Sequence, residues 1–149
     1  MEYYYTPKEY ISGSSLTIID DEAKHVARVL RKQPGTEIYV TDGEGNAYKT
    51  LMTNVSKTLI NCDVVEKYSM LNEPHRKVKL CQALLKNPDR FEFVIEKSVE
   101  LGVSCIQPLI TQNVINKTSD RTERWRLIAL AAMKQSQRCI LPKVMSPLV

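Results

Sequence analysis

Apolar and polar positions follow two different rhythms along this chain. Residues 3–5 are aromatic and β-prone, and 16–19 form a short apolar strand. Asp20 and Asp21 offer an N-cap, and the spacing of Ala23, Val26, Ala27, Val29 and Leu30 predicts a helix over 21–30. Pro34-Gly35 is a turn. Residues 36–41 alternate, Asp42-Gly-Glu-Gly-Asn46 is a turn tolerant of positive φ, and 47–55 and 59–65 are further strands. Period-2 strands, short loops and one helix predict a closed or half-closed β-barrel. A barrel this small is filled by side chains, so its function would lie on its surface.

Residues 69–77 form a polar connection. Beyond it the rhythm changes. Residues 78–85 are almost continuously apolar, as in a parallel strand buried on both faces. Asn87-Pro88 sets up a helix over 89–101, packed through Phe91, Val94, Ile95, Ser98 and Val99 and ended by Gly102. Residues 103–110 read as a second strand, with Pro108 marking an end or edge position. Strand, helix and strand at this spacing predict a parallel crossover. After a polar loop over 111–119, Asp120-Arg-Thr-Glu123 resembles a capping box. It opens a helix to about 135, lined by Trp125, Ile128, Ala129, Ala132 and Met133. A third strand would begin over 139–145. Such a sheet has too few strands to cover both faces. Either a partner chain completes it or the sequence is a piece of a longer protein. The fold class expected is two-part, α+β then α/β: a small barrel over 1–71, then an incomplete parallel domain over 72–149.

Composition narrows the class. The 149 residues are 43% hydrophobic and 26% charged, which excludes collagen-like and disordered chains. No apolar run approaches the ~18 residues of a membrane span. The start, Met-Glu-Tyr-Tyr-Tyr, is no signal peptide, so a cytoplasmic location without a membrane partner is expected. Cys62, Cys81, Cys105 and Cys139 lack any C-x-x-C pair, and His25 and His75 are not placed to complete a metal site. Buried reduced thiols and no metal are expected. Residues 1–72 hold 8 Lys+Arg against 10 Asp+Glu, whereas 73–149 hold 13 against 7. The basic second half is compatible with a polyanion, or with a merely solvated surface.

Few residues stand out for chemistry. His25, Arg28, Arg31 and Lys32 space basic groups along one predicted helical face, which could track phosphates or simply face water. Glu96, Lys97 and Glu100 make a charged face. The like charges at i,i+4 call for a neighbouring cation, Lys97 or Arg90. Lys134, Gln135 and Arg138 close the last helix, where cations suit its dipole; Gln135 and Arg138 could also contact a nucleotide. G-x-G-x-x-G, P-loop, G-x-S-x-G and H-E-x-x-H motifs are absent.

Several strings, in one order, carry a resemblance. They are His25-Val-Ala-Arg-Val-Leu-Arg31, Pro34-Gly35, Thr41-Asp-Gly-Glu-Gly-Asn-Ala-Tyr48, Lys86-Asn-Pro-Asp-Arg-Phe-Glu92, Glu96-Lys-Ser-Val-Glu-Leu-Gly-Val103 with Pro108-Leu-Ile-Thr111, Arg124-Trp-Arg, and Ala131-Ala-Met-Lys-Gln-Ser-Gln-Arg138 with Pro142-Lys. Together they resemble the RsmE family of 16S ribosomal RNA uracil-N3 methyltransferases. The resemblance implies a PUA-like RNA-binding barrel followed by a SPOUT-class domain that works as a homodimer with S-adenosylmethionine on the small ribosomal subunit. It implies RNA contacts from His25, Arg28, Arg31 and Lys32 on the barrel. It also implies that Arg90, Lys97, Glu100, Gln135 and Arg138 lie on the RNA-facing or dimer side of the second domain. No residue is assigned a catalytic step. Lys134 stands where many relatives carry Glu. The family's Gly-Pro-Glu-Gly-Gly loop, part of the knot that binds the cofactor, is not in the sequence, so the cofactor site is expected beyond Val149. The expectation for this chain alone is no cofactor binding and no activity. The rival expectation is a complete, non-catalytic RNA-binding module.

Overall fold

The structure, a computed structural model, describes residues 3–29, 33–112 and 121–149, with the backbone only at Arg28 and Val29. The chain divides into two compact units, Met1–Asn72 and Glu73–Val149.

The first unit is one curled sheet of six strands. They are β1 (Tyr3–Tyr5), β2 (Ile11–Ser12), β3 (Ser15–Ile19), β4 (Glu37–Thr41), β5 (Asn46–Val55) and β6 (Leu59–Ser69), in the order β1-β4-β5-β6-β3-β2. β1 runs parallel to β4, and the other pairings are antiparallel. The sheet is a half-closed barrel, because its end strands β1 and β2 do not pair. The side chain of Thr6 reaches from the end of β1 to donate to the Thr17 carbonyl on β3 at 2.6 Å. Alternate residues point inward, so Leu16, Ile18, Ile38, Val40, Ile60 and Cys62 share one core. Helix α1 (Asp20–Lys24) adds Ala23 to that core, and the turn after it adds Val26. Glu22 on α1 accepts the Tyr5 backbone N–H at 3.0 Å, tying the helix to the β1 edge.

The expected cap is not the one used. Ile19 is the N-cap residue and no side chain caps α1; Asp20 sits at φ 54 and donates its N–H to the Thr58 carbonyl. The Asp42 turn forms as expected. The Asp42 carboxylate accepts the N–H groups of Glu44 and Asn46 at 2.8 and 3.1 Å, while Gly43 and Gly45 take φ of 71° and 105°.

The second unit is a parallel sheet, β7-β8-β9, of strands β7 (Lys79–Ala83), β8 (Cys105–Leu109) and β9 (Lys143–Val144). Helices α2 (Pro88–Glu100) and α3 (Thr122–Gln135) form the crossovers and pack on each other, with Phe91 and Trp125 ring centroids 4.9 Å apart. Asn87 caps α2 by accepting the Asp89 N–H at 2.9 Å, as its place before Pro88 predicts. At Gly102 φ is 95°, and a Cβ there would lie 2.8 Å from the Pro74 ring, so both backbone and space require glycine.

Three expectations need correction. Pro108 lies in the central strand, not at an edge, although it does stand next to the strand's end, one residue before Leu109. Its carbonyl accepts the Leu148 N–H. Where it has no N–H to give, the Gln107 side-chain amide donates to the Ser146 carbonyl at 2.9 Å. β7 is not buried on both faces: it is an edge strand with one neighbour, and none of its residues is fully buried. The thiols also divide. All four cysteines are free, but only Cys62 and Cys139 are buried, whereas Cys81 on β7 is exposed and Cys105 half-buried. Asp120 lies outside the described residues; Arg121 is the N-cap residue of α3, with no side-chain cap.

Candidate functional site

On the first unit, the described part of the basic stripe, His25 and Arg28, lies on a π-helical turn, His25–Val29, that follows α1. A π turn hydrogen-bonds i to i+5 and winds less per residue than an α-helix, so residues three apart line up less well on one face. From His25 to Arg28 the backbone is therefore not that of a straight α-helical face. His25 is half-buried. Arg31 and Lys32 lie outside the described residues, and Arg28 is described by its backbone alone.

On the second unit, α2 and α3 enclose a groove of about 440 Å³. Its floor is Ile128, Ala131 and Ala132, and its rim brings together Lys97, Glu100 and Gln135, with Glu96 beside them. Lys97 Nζ lies 2.7 Å from Glu96, 2.8 Å from Glu100, and 5.6 Å above the Phe93 ring. This one ammonium offsets the like charges of Glu96 and Glu100. Hydrogen bonding to Glu100 and then Glu96 raises its pKa, and the same contact lowers that of Glu96. The groove thus has an apolar floor and a rim with one cation between two carboxylates, which suits an apolar or cationic side chain better than a phosphate. Arg90 is exposed on the first turn of α2 and does not line it.

Arg138 is a correction. It is 2% exposed, so its side chain does not face a surface where RNA or a partner would bind. Its guanidinium donates to the carbonyls of Val99 and Val103 at 2.8 and 3.0 Å and pairs with Glu73 at 2.5 Å. Glu73 also accepts the N–H groups of Cys139 and Ile140, both at 2.8 Å. The burial of Glu73 is what the sequence reading missed, since it sits in a segment that reads as a polar connection. The signal was the cation at the end of α3, which needs a partner once that helix end is buried.

A second group was also missed. Glu92 on α2 holds Arg124 on α3 through two hydrogen bonds of 2.5 and 2.7 Å, with Arg121 at 3.7 Å from the same carboxylate. The pairing, its hydrogen bond first, lowers the Glu92 pKa and raises that of Arg124. The i,i+3 spacing of Arg121 and Arg124 was the available signal. Among the described residues no group of three His, Cys, Asp or Glu could hold a metal, and no helix is long and apolar enough to cross a membrane.

A curled mixed sheet followed in the chain by a parallel β-α-β-α-β unit defines a two-part protein with a PUA-like first domain. The RNA methyltransferase domain family matches residues 72–149, and the RNA methyltransferase PUA domain matches 18–65. The chain belongs to this RNA methyltransferase family. Its relatives include the "Ribosomal RNA small subunit methyltransferase E" of Synechocystis, 33% identical over 94% of this chain and 46% of the relative. That of Bacillus subtilis is 30% identical over 94% and 56%. Among solved structures, the ribosomal RNA small subunit methyltransferase E of Neisseria gonorrhoeae, bound to S-adenosyl methionine, superposes with a TM-score of 0.88. It is 31% identical and covers 99% of this chain and 62% of that one. The chain therefore spans about half the length of the relatives it matches.

Proposed function

We propose that this chain provides the RNA-binding barrel, over 1–71, and the first part of the catalytic domain, over 72–149, of a methyltransferase. That enzyme would act on N3 of a uridine in small-subunit ribosomal RNA, as a cytoplasmic homodimer using S-adenosylmethionine. The observation carrying this is the match to one family through both units in the same order. Uracil N3 is protonated and weakly nucleophilic, so catalysis demands an oriented base, removal of the N3 proton and in-line placement of the methyl carbon. The proposal keeps His25, Arg28, Arg31, Lys32 and Arg90 as RNA contacts, and Lys97, Glu100 and Gln135 as a rim facing RNA or the second subunit.

The cofactor does not fit the residues present. The second unit holds one glycine, Gly102, and Pro74 fills the space beside it, so no glycine-lined cradle exists there. A second cavity of about 350 Å³, beside Pro142, Lys143 and Met145, offers no glycine either. No step of the transfer is therefore assigned to a residue of this chain. Calorimetric titration of the 149-residue chain with S-adenosylhomocysteine is expected to give no saturable heat. Stoichiometric binding would refute the view that the cofactor needs residues outside this sequence.

A further inference from the structure

We propose that Arg121 and Arg124, gathered on the carboxylate of Glu92, form a clamp for RNA backbone phosphates on the second unit. This rests on the RNA-binding reading above and adds a site to it.

Three observations lead there. First, Glu92 is nearly enclosed, with a side chain 12% exposed, while those of Arg121 and Arg124 are 40% and 64% exposed. The carboxylate is the anchor and the guanidiniums are the surface. Second, Arg124 gives Glu92 only its Nε and Nη2 donors, in the fork geometry that fixes a guanidinium plane. Its other N–H groups have no acceptor among the described residues. An arginine already held in place loses less freedom when it meets a phosphate. Third, a brace between α2 and α3 needs one arginine, yet two are present. Arg121 stands 3.7 Å from Glu92, beyond hydrogen-bond length, and its guanidinium bonds no other described residue.

The charge around the pair agrees. The segments 86–92 and 121–126 carry five cations, Lys86, Arg90, Arg121, Arg124 and Arg126, against Asp89, Glu92 and Glu123. Glu123 is taken by Arg126, and Glu92 by Arg124. The excess is positive and exposed, unlike the α2/α3 groove, whose single cation is shared by two carboxylates.

The test is the salt dependence of binding of the whole chain to a labelled single-stranded oligouridylate, from about 50 to 200 mM salt. Each phosphate contact on a single strand contributes about 0.7 to the slope of log K against log salt. Arg121→Ala is expected to lower the slope by about 0.7, and Arg121→Ala with Arg124→Ala by about 1.4. Lys57→Ala, an exposed lysine of the first unit, should leave it unchanged. Should the double variant unfold, Arg121→Ala alone decides, because it breaks no hydrogen bond among the described residues. Wild-type slopes in the arginine variants, or an equal drop in Lys57→Ala, overturn the clamp and leave the RNA-binding reading intact. A wild-type chain that does not bind the RNA removes both.

Discussion

Among the described residues each unit buries a carboxylate, and the two are satisfied in opposite ways. Asp42 in the first unit is 3% exposed and takes no cation. Its oxygens accept the N–H groups of Glu44 and Asn46, the Asn46 side-chain amide at 2.6 Å and the Tyr48 hydroxyl at 3.3 Å. Every partner lies within six residues of it. Glu73 in the second unit is equally hidden, but its charge partner, Arg138, is 65 residues away. A local turn can neutralise a buried charge with dipoles alone. A long-range contact between the start of a domain and the end of its last helix uses a full countercharge and adds backbone donors to it. The first arrangement shapes a loop; the second fastens distant segments of one unit together.

That contrast sets the largest expected effect. Arg138→Met leaves Glu73 buried and charged, and breaking a buried pair from one side costs about 3–5 kcal/mol. Urea denaturation followed by the fluorescence of Trp125, the chain's one tryptophan and a member of the second unit, should show that loss. Glu73→Gln with Arg138→Met should recover much of it, since the charge is then gone from both sides. A single-variant loss under about 1 kcal/mol would mean that the pair is solvated and the comparison with Asp42 false.

The same contrast explains how much could be read from the sequence. Asp42-Gly-Glu-Gly-Asn46 is legible because its residues act on their own neighbours. So are the inward positions of β3, β4 and β6, where period 2 fixes the buried face, and the Asn87-Pro88 helix start. The Glu73–Arg138 pair is invisible because no local pattern records a contact over 65 residues. Pro108 suggested an edge wrongly for a related reason. Its missing N–H is a local fact, but the Gln107 amide that donates to Ser146 beside it depends on tertiary placement. At the candidate sites, the sequence put Lys97 and Glu100 on one helix and Gln135 on the next, and the groove between those helices is lined by all three. It named Lys97 or Arg90 as the cation between the two carboxylates, and Lys97 is the one used. It could not tell that Arg138 points inward, or that Glu92 collects two arginines from the start of the next helix.

Asp42→Ala removes the acceptor for two backbone N–H groups, one amide and one hydroxyl, and is expected to cost about 2–3 kcal/mol, below the Arg138 effect. The loss should fall in the first unit. Circular dichroism, which reports both units, should shift to lower urea, while the Trp125 signal holds its midpoint. Asp42→Asn, keeping one acceptor oxygen, should lie between the alanine variant and wild type. A Trp125 midpoint that moves with Asp42→Ala would show that the two carboxylates do not stabilise separate units.

Alkali should separate the two arrangements with the smallest effect. Burial, and next the charge of Asp42, push the Tyr48 hydroxyl up to about 12 from an ordinary 10.0, and burial pushes the Cys62 thiol up to about 11 from 9.0. For both groups the folded state holds its proton more tightly than the unfolded chain does. Their contribution is therefore complete below the unfolded values and is lost as pH rises through the folded ones, over a window from about 9 to 12. Ionised Tyr48 would also turn from a donor to Asp42 into a second negative charge beside it. The Glu73 carboxylate instead faces a guanidinium, which stays charged throughout this range. Thermal melts between pH 8 and 11 should thus lower the first unit's transition by a few degrees and move the Trp125 transition less. Tyr48→Phe removes the hydroxyl while keeping the ring, and should flatten the upper part of that decline. If the slope persists in Tyr48→Phe combined with Cys62→Ala, the alkaline sensitivity lies elsewhere and the dipole-satisfied carboxylate is not the weaker of the two.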